Sequence, residues 1–254
     1  MTGPPAPPTP AAPLFAQAAP LFAQAAPRMA ELLAGAEDFR EDLLRIGPDT
    51  PPEPRWNQDW FPRLDALAAY VTVRSAAPAR IIEVGAGHST RFMARAIRDG
   101  GLSSRLTSID PAPRALLDGL PGLDLLHAPL QDIDLVVFEA LRPGDILFVD
   151  SSHVLAPGSD VERIFTEILP QVPSGLLVHF HDIFLPDGYP AAWAPRGYNE
   201  QSAVAALLTD GGYEIVFASA YAAKYLPAAV AGSVAAELPL VDGAVESSLW
   251  LRKR

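Results

Sequence analysis

Two short stretches set ionisable side chains at the ends of apolar runs. VHFHDIF carries His179, His181 and Asp182, and FVDSSH carries Asp150 and His153. Imidazoles and carboxylates in such company suit three kinds of chemistry: ligation of a divalent metal, proton transfer near neutral pH, or pairing with one another inside the fold. His179 and His181 stand two apart and point to the same face of a strand. His179 lies deeper and reads as a packed histidine with a backbone partner. A third stretch, EVGAGHST, places Gly85 and Gly87 where a strand turns tightly into a helix and lets the backbone approach a ligand. Asp110 ends the next apolar run, where an acid can hold the two hydroxyls of a ribose.

These residues need elements to position them. From Ala79 onward, apolar strands alternate with helical stretches: RIIEVGAG, SRLTSID, LDLLHA, DILFVDSSH, SGLLVHFHD, YEIVFAS and ESSLWLRK read as strands. STRFMARAIRDGG, RALLDGL, DLVVFEALRPG, SDVERIFTEILPQV and NEQSAVAALLTDGG read as the helices between them, with Ser159 and Asn199 as N-caps and Gly211 as a stop. Near-continuous Ile, Leu and Val with helical crossovers predict an α/β fold with a mostly parallel, doubly wound sheet. Ligands bind such sheets beyond the carboxyl ends of the strands, where Glu83 to Gly87, Asp110, Asp150 to His153 and His179 to Asp182 all lie.

The N-terminal part differs. Residues 11–24 are the tandem heptad AAPLFAQAAPLFAQ, and Pro13 and Pro20 argue against a continuous helix. Residues 1–27 therefore read as a flexible Pro/Ala-rich arm with a Leu-Phe docking motif, and residues 28–75 as a helical cap whose first helix is RMAELLAGAEDFREDLLRI. Residues 76–254 form the main domain.

Composition narrows the function further. A formal charge of -11 over 254 residues opposes binding to a nucleic-acid backbone. The chain has no cysteine, hence no disulfide or thiolate metal site, and shows neither a secretory signal nor a membrane-spanning run. A cytoplasmic protein with a small-molecule partner is the expectation, and the sequence leaves a homo-oligomer open.

EVGAGHSTRFMARAI, TSIDPAPR, DILFVDSSHV, VHFHDIFLPDGYP and NEQ, in that order, resemble the class I S-adenosylmethionine-dependent methyltransferases, more narrowly a bacterial subgroup with a GHST turn and a DSSH…HDIFLP pairing. The similarity runs from about Trp60 to the C-terminus. It implies a Rossmann-like, seven-stranded sheet with an antiparallel last strand beside the fifth, preceded by the N-terminal helices. It implies S-adenosylmethionine as cofactor, with Gly85 and Gly87 under its methionine part, Glu83 near its amino group or holding the loop, Asp110 on the ribose, and Leu130, Gln131 and Asp132 near the adenine. Catechol-type O-methyltransferases carry metal ligands at matching strand ends. On that match Asp150, His181 and Asp182 would hold Mg²⁺, Mn²⁺ or Fe²⁺, and His153 would stand in place of a lysine base. The segment 183–198, rich in proline and aromatics, would cover the site. The activity implied is methyl transfer to a hydroxyl of a small molecule, a sugar or a natural-product scaffold. Two other readings stand beside it: a related metal enzyme or accessory protein of a hydroxylation step on the same fold, and a cofactor-binding scaffold that recruits partners through the N-terminal arm.

Overall fold

The computed structural model describes residues 13–47 and 49–254. Seven strands form one sheet: β1 (Arg80–Val84), β2 (Arg105–Ile109), β3 (Leu123–Leu126), β4 (Ile146–Val149), β5 (Leu177–Phe180), β6 (Tyr213–Ala218) and β7 (Leu249–Lys253). Their order is β3-β2-β1-β4-β5-β7-β6, parallel throughout β1 to β5, with β7 antiparallel to both β5 and β6. The seven-stranded Rossmann-like sheet and its antiparallel last strand agree with the expectation. Every residue of β4 and β5 is buried, which is why ILFV and LVHF show no apolar–polar alternation. Four helices matter most for the site and its support: α1 (Pro13–Gly35), α2 (Arg63–Ala76), α3 (His88–Asp99) and α4 (Glu200–Thr209).

Strand register builds the functional edge. Val84 pairs with Ile109 on one side and Val149 on the other, and Val149 pairs with Phe180. The next residues along these strands, Gly85, Asp110, Asp150 and His181, therefore form a single row. Backbone bonds extend the ladder into it: Gly85 N–H donates to Ile109 O at 2.9 Å, Asp150 N–H to Val84 O at 2.8 Å and His181 N–H to Val149 O at 2.9 Å.

The N-terminal reading is corrected by α1. Residues 13–27, expected to be a flexible arm, belong to one helix that runs through Pro20 and Pro27. Both prolines are exposed, as are Ala16 and Ala23, whose carbonyls lose their i+4 donors, so water can satisfy what the prolines remove. The opposite face buries Phe15, Ala18, Phe22, Met29 and Leu33, and the helix lies against α4 and β6. The heptad thus works as packing, with Phe15 and Phe22 recurring on the buried face. Residues 1–12 lie outside the described residues.

Smaller departures follow from local breaks. The helix expected over 28–46 is interrupted at Gly35, and RALLDGL forms no helix. Only Val136–Glu139 of DLVVFEALRPG is α-helical, and two helices after β6, Ser219–Tyr225 and Pro227–Ala231, add to the expected elements. Among the described residues no helix is long and apolar enough to cross a membrane.

Candidate active site

The turn after β1 is held from below. Gly85 has φ +82°, and a Cβ there would stand 2.2 Å from the carbonyl oxygen of Asp150, so only glycine fits between β1 and β4. Gly87 is different: its backbone is extended and a Cβ would meet nothing, which leaves its surface open to the cavity. Glu83 is fully buried and accepts hydrogen bonds from the hydroxyls of Ser89 at 2.6 Å, Thr90 at 2.7 Å and Ser108. Of the two roles expected for Glu83, the structure shows the supporting one. It lies beneath the turn rather than on the cavity wall, and burial pushes its carboxyl up to about 7. Thr90, where a dinucleotide fingerprint has a third glycine, also accepts the Gly87 N–H at 2.9 Å and so locks the turn to Glu83.

A cavity of about 1030 Å³ opens over this row of strand ends, room for a nucleoside-sized cofactor and an acceptor together. Gly85, Gly87, Asp110, Gln131, Asp150, His153, His181 and Asp182 all line it. Asp110 accepts the Ala86 N–H and the Ala112 N–H at 2.7 Å each, which aims its carboxylate and leaves the second lone pair of each oxygen free. Gln131 donates to Gly158 O at 3.2 Å across the rim. Asp132 departs from expectation: it is exposed at the end of the 3₁₀ turn Leu130–Asp132 and lies outside the lining.

The second half of the cavity floor is an acid–imidazole cluster. His153 Nδ1 lies 2.9 Å from Glu200 Oε2, and its Nε2 faces Asp150 Oδ1 at 3.3 Å and Asp182 Oδ2 at 3.5 Å. His181 Nδ1 faces Asp150 at 3.5 Å and Asp182 at 3.6 Å, while its Nε2 faces Asp65 at 3.4 Å. Asp65, buried on α2, also accepts the backbone N–H groups of Ser247 and Ser248, so three elements meet at one carboxylate. His153 and Asp182 hold left-handed backbone conformations, φ +60° and +56°, which side-chain-bearing residues adopt only where the surroundings impose them. His179 is packed, as expected; its Nε2 lies 2.8 Å from the Ser248 hydroxyl, and its ring stacks on Phe148.

Charge in the cluster is matched internally. Burial opposes protonation of His153, but hydrogen bonds to Asp150 and Glu200 outweigh it and raise its pKa to about 10. His181 is likewise buried, and Asp182 and Asp150 hold it well above the ordinary imidazole value. Asp150 is partly desolvated, yet the two imidazoles keep its carboxyl below the usual carboxylate range. Burial raises Glu200, against the pull of His153. Asp150, His181 and Asp182 do come together, and their donor types suit a hard divalent cation. Their polar atoms are turned on one another, however, and among the described residues no group of three or more His, Asp or Glu side chains is arranged to hold a metal. The electrostatic reason for expecting a cation between Asp150 and Asp182 is met here by His153 and His181.

Several residues of the cluster and its surroundings do not stand out in the sequence. Glu200 opens α4 and orients His153. Its signal is the NEQ motif, whose asparagine does not cap the helix but ties it to the β4 loop through Leu155. Asp65 is detectable as the lone acid within LDALAAYV. Tyr198 packs its ring 4.6 Å from that of His153, following a 3₁₀ turn over Ala191–Arg196 that Gly197 closes at φ +69°. The expected cover over the site does reach the cavity wall, through Trp193, Arg196 and Tyr198.

Comparison with known proteins bears on this geometry. Solved structures with similar coordinates include a methyltransferase from Podospora anserina, 15% identical, covering 87% of this chain and 88% of that one at a TM-score of 0.48. The O-methyltransferase TomG from Streptomyces achromogenes, involved in tomaymycin synthesis, is 17% identical with the same coverage and TM-score. Comparison with curated proteins returns no match. A family model described as a methyltransferase domain matches residues 82–183, from β1 through the glycine turn and both ionisable clusters to the end of β5. Residues 82–183 of the chain are thus similar to a methyltransferase domain, and they lie in a sheet of order β3-β2-β1-β4-β5-β7-β6.

Proposed function

We propose that the chain methylates a hydroxyl of a small molecule, with His153 as the group that takes the hydroxyl proton. The observation that carries this reading is the Glu200–His153 pair: a buried acid holds one imidazole nitrogen, and the other faces Asp150 and Asp182, with His153 and these two acids all lining the cavity. Bound at the glycine turn, S-adenosylmethionine supplies an electrophilic methyl group on a sulfonium. Gly85 and Gly87 let it approach the backbone, Asp110 takes its ribose hydroxyls, and Gln131 borders its base. Glu83 acts one layer below, fixing the turn.

His153 must be neutral at Nε2 to accept a proton. Asp150 and Glu200 hold it protonated, and a cationic cofactor bound in the same cavity would work against that charge. Once neutral, it draws the acceptor hydroxyl toward Asp150 and Asp182, and Glu200 steadies the imidazolium that forms. The rest is positioning of two reactants in a walled cavity.

A divalent cation is the finer part of the proposal. Asp150, His181 and Asp182 would have to turn from the contacts they make with one another and with His153 to hold it, and bound there it would supply polarisation of the acceptor oxygen. Turnover of hydroxylated acceptors, assayed with and without chelator, separates the two schemes. Activity that survives chelation assigns the proton transfer to His153 without a metal, whereas loss restored by Mg²⁺ assigns the three ligands. No methylated product from a broad set of hydroxyl acceptors, in a protein that binds S-adenosylmethionine, would refute the O-methyltransferase reading and favour the accessory-protein one. The scaffold reading loses support because α1 buries Phe15 and Phe22 of the repeat instead of presenting them.

A further inference from the structure

The wall of the cavity above His153 carries a cation that the proposed chemistry does not use. Arg196 ends the 3₁₀ turn of the cover. Its guanidinium lies 3.8 Å from the ring centre of Trp193 and 5.5 Å from that of Tyr198. Tyr198 in turn contacts the His153 ring. Among the described residues Arg196 makes no ion pair, although the chain carries a net charge of -11 and the same cavity is lined by Asp59 and Asp160. Asp160 is engaged with Ser152, and Asp150 and Asp182 with the two imidazoles. A guanidinium over an indole keeps its N–H groups free at its edge, where a carboxylate can be received through two parallel hydrogen bonds.

Resting on the methyltransferase reading above, the geometry points to an acceptor that joins a hydroxyl-bearing aromatic ring to a carboxylate, with Arg196 as the carboxylate's partner. The hydroxyl lies at His153. The ring lies along Tyr198 and Trp193, and the carboxylate reaches Arg196, since the Arg196 guanidinium and the His153 ring both neighbour the Tyr198 ring. A cationic acceptor fits less well, because Arg196 already occupies the aromatic face that would attract it. Arg114, stacked on Trp60 at 4.7 Å, also lines the cavity, but it follows Asp110 and so lies toward the nucleoside end.

The test is calorimetric titration of hydroxybenzoates and hydroxycinnamates, each paired with its primary amide, into the protein saturated with S-adenosylhomocysteine. At least one acid should bind about tenfold or more tightly than its amide, the scale of a hydrogen-bonded charge pair. In R196Q that gap should close, in R196K it should be partly kept, and S-adenosylhomocysteine affinity should be unchanged in both. Equal affinity of acids and amides, no binding of any acid, or a gap that survives R196Q would overturn the assignment. Weaker S-adenosylhomocysteine binding in R196Q would also overturn it, by showing that Arg196 holds the cofactor's own carboxylate. Failure of the unmodified protein to bind S-adenosylhomocysteine at all would instead bring down the cofactor reading on which the assignment stands.

Discussion

The cavity floor has two halves built on opposite principles. Beyond β1 and β2, the structure is satisfied by neutral donors: three hydroxyls on Glu83 and backbone amides on Asp110. Beyond β4 and β5, ionised groups face one another at 3.3 to 3.6 Å, and two residues hold left-handed backbone. On the proposed reading the first half is a cofactor site, which has to be the same before and after each turnover, and a hydrogen-bonded glycine turn suits that. A site that moves a proton needs groups whose charge can change, and a coupled set of imidazoles and carboxylates gives that. The two halves should therefore separate under mutation, one governing affinity and the other turnover.

His153→Gln tests the separation most severely. Loss of the proton-accepting nitrogen should lower kcat by about 10²- to 10⁴-fold. Affinity for S-adenosylhomocysteine, measured by calorimetry, should stay within about twofold, since His153 lies in the other half. Comparable losses in both would mean that the halves are one unit. Asp110→Asn is the converse and next in size. It keeps the shape but weakens acceptance of two ribose hydroxyls, so cofactor affinity should fall by about ten- to a hundredfold. Turnover at saturating cofactor should change little.

What the sequence makes legible follows the same division. The glycine turn, Asp110, and the ionisable ends of β4 and β5 are local in sequence: each sits at the end of an apolar run, and a parallel sheet brings such ends to one edge. Residue types at strand ends therefore carry most of the site. What stays hidden depends on distant chain: Glu200 reaches His153 from 47 positions away, and Asp65 reaches His181 from 116. Nothing in the spacing of DSSH or HDIF reveals that two imidazoles face the same pair of carboxylates. Helix α1 escapes a sequence reading because two prolines outweigh the recurring Phe15 and Phe22, and exposure of the freed carbonyls is a property of the folded chain alone.

Glu83 gives a third, smaller separation, visible in stability instead of activity. Its carboxyl is raised from 4.5 to about 7, so between those values the folded chain binds more protons than the unfolded one. Its contribution is fully present below 4.5 and is lost as pH rises through about 7. Glu83→Gln should remove that slope, by about 1 to 3 kcal/mol across the window, in urea unfolding followed at several pH values. An unchanged slope would mean that the carboxyl titrates no differently once folded.

The finest test lies inside the half proposed to move the proton. Glu200 is one of the two carboxylates that raise His153, and it holds the nitrogen turned away from the cavity. Glu200→Gln keeps an acceptor for Nδ1–H but removes the charge, so the imidazolium becomes easier to deprotonate. If proton removal by neutral His153 limits the reaction, kcat/KM for the acceptor at saturating cofactor rises with pH, and the variant's rising limb should move by about one unit toward acid. Near neutral pH that shift works in favour of the variant, while the weaker hold on the ring works against it, so net activity there should differ from the parent by less than about tenfold. The position of the limb, and not the size of the rate, is the diagnostic. A limb that stays in place while the rate falls would leave Glu200 as a support for ring geometry alone, and the charge-coupled half would shrink to Asp150, Asp182 and the two imidazoles.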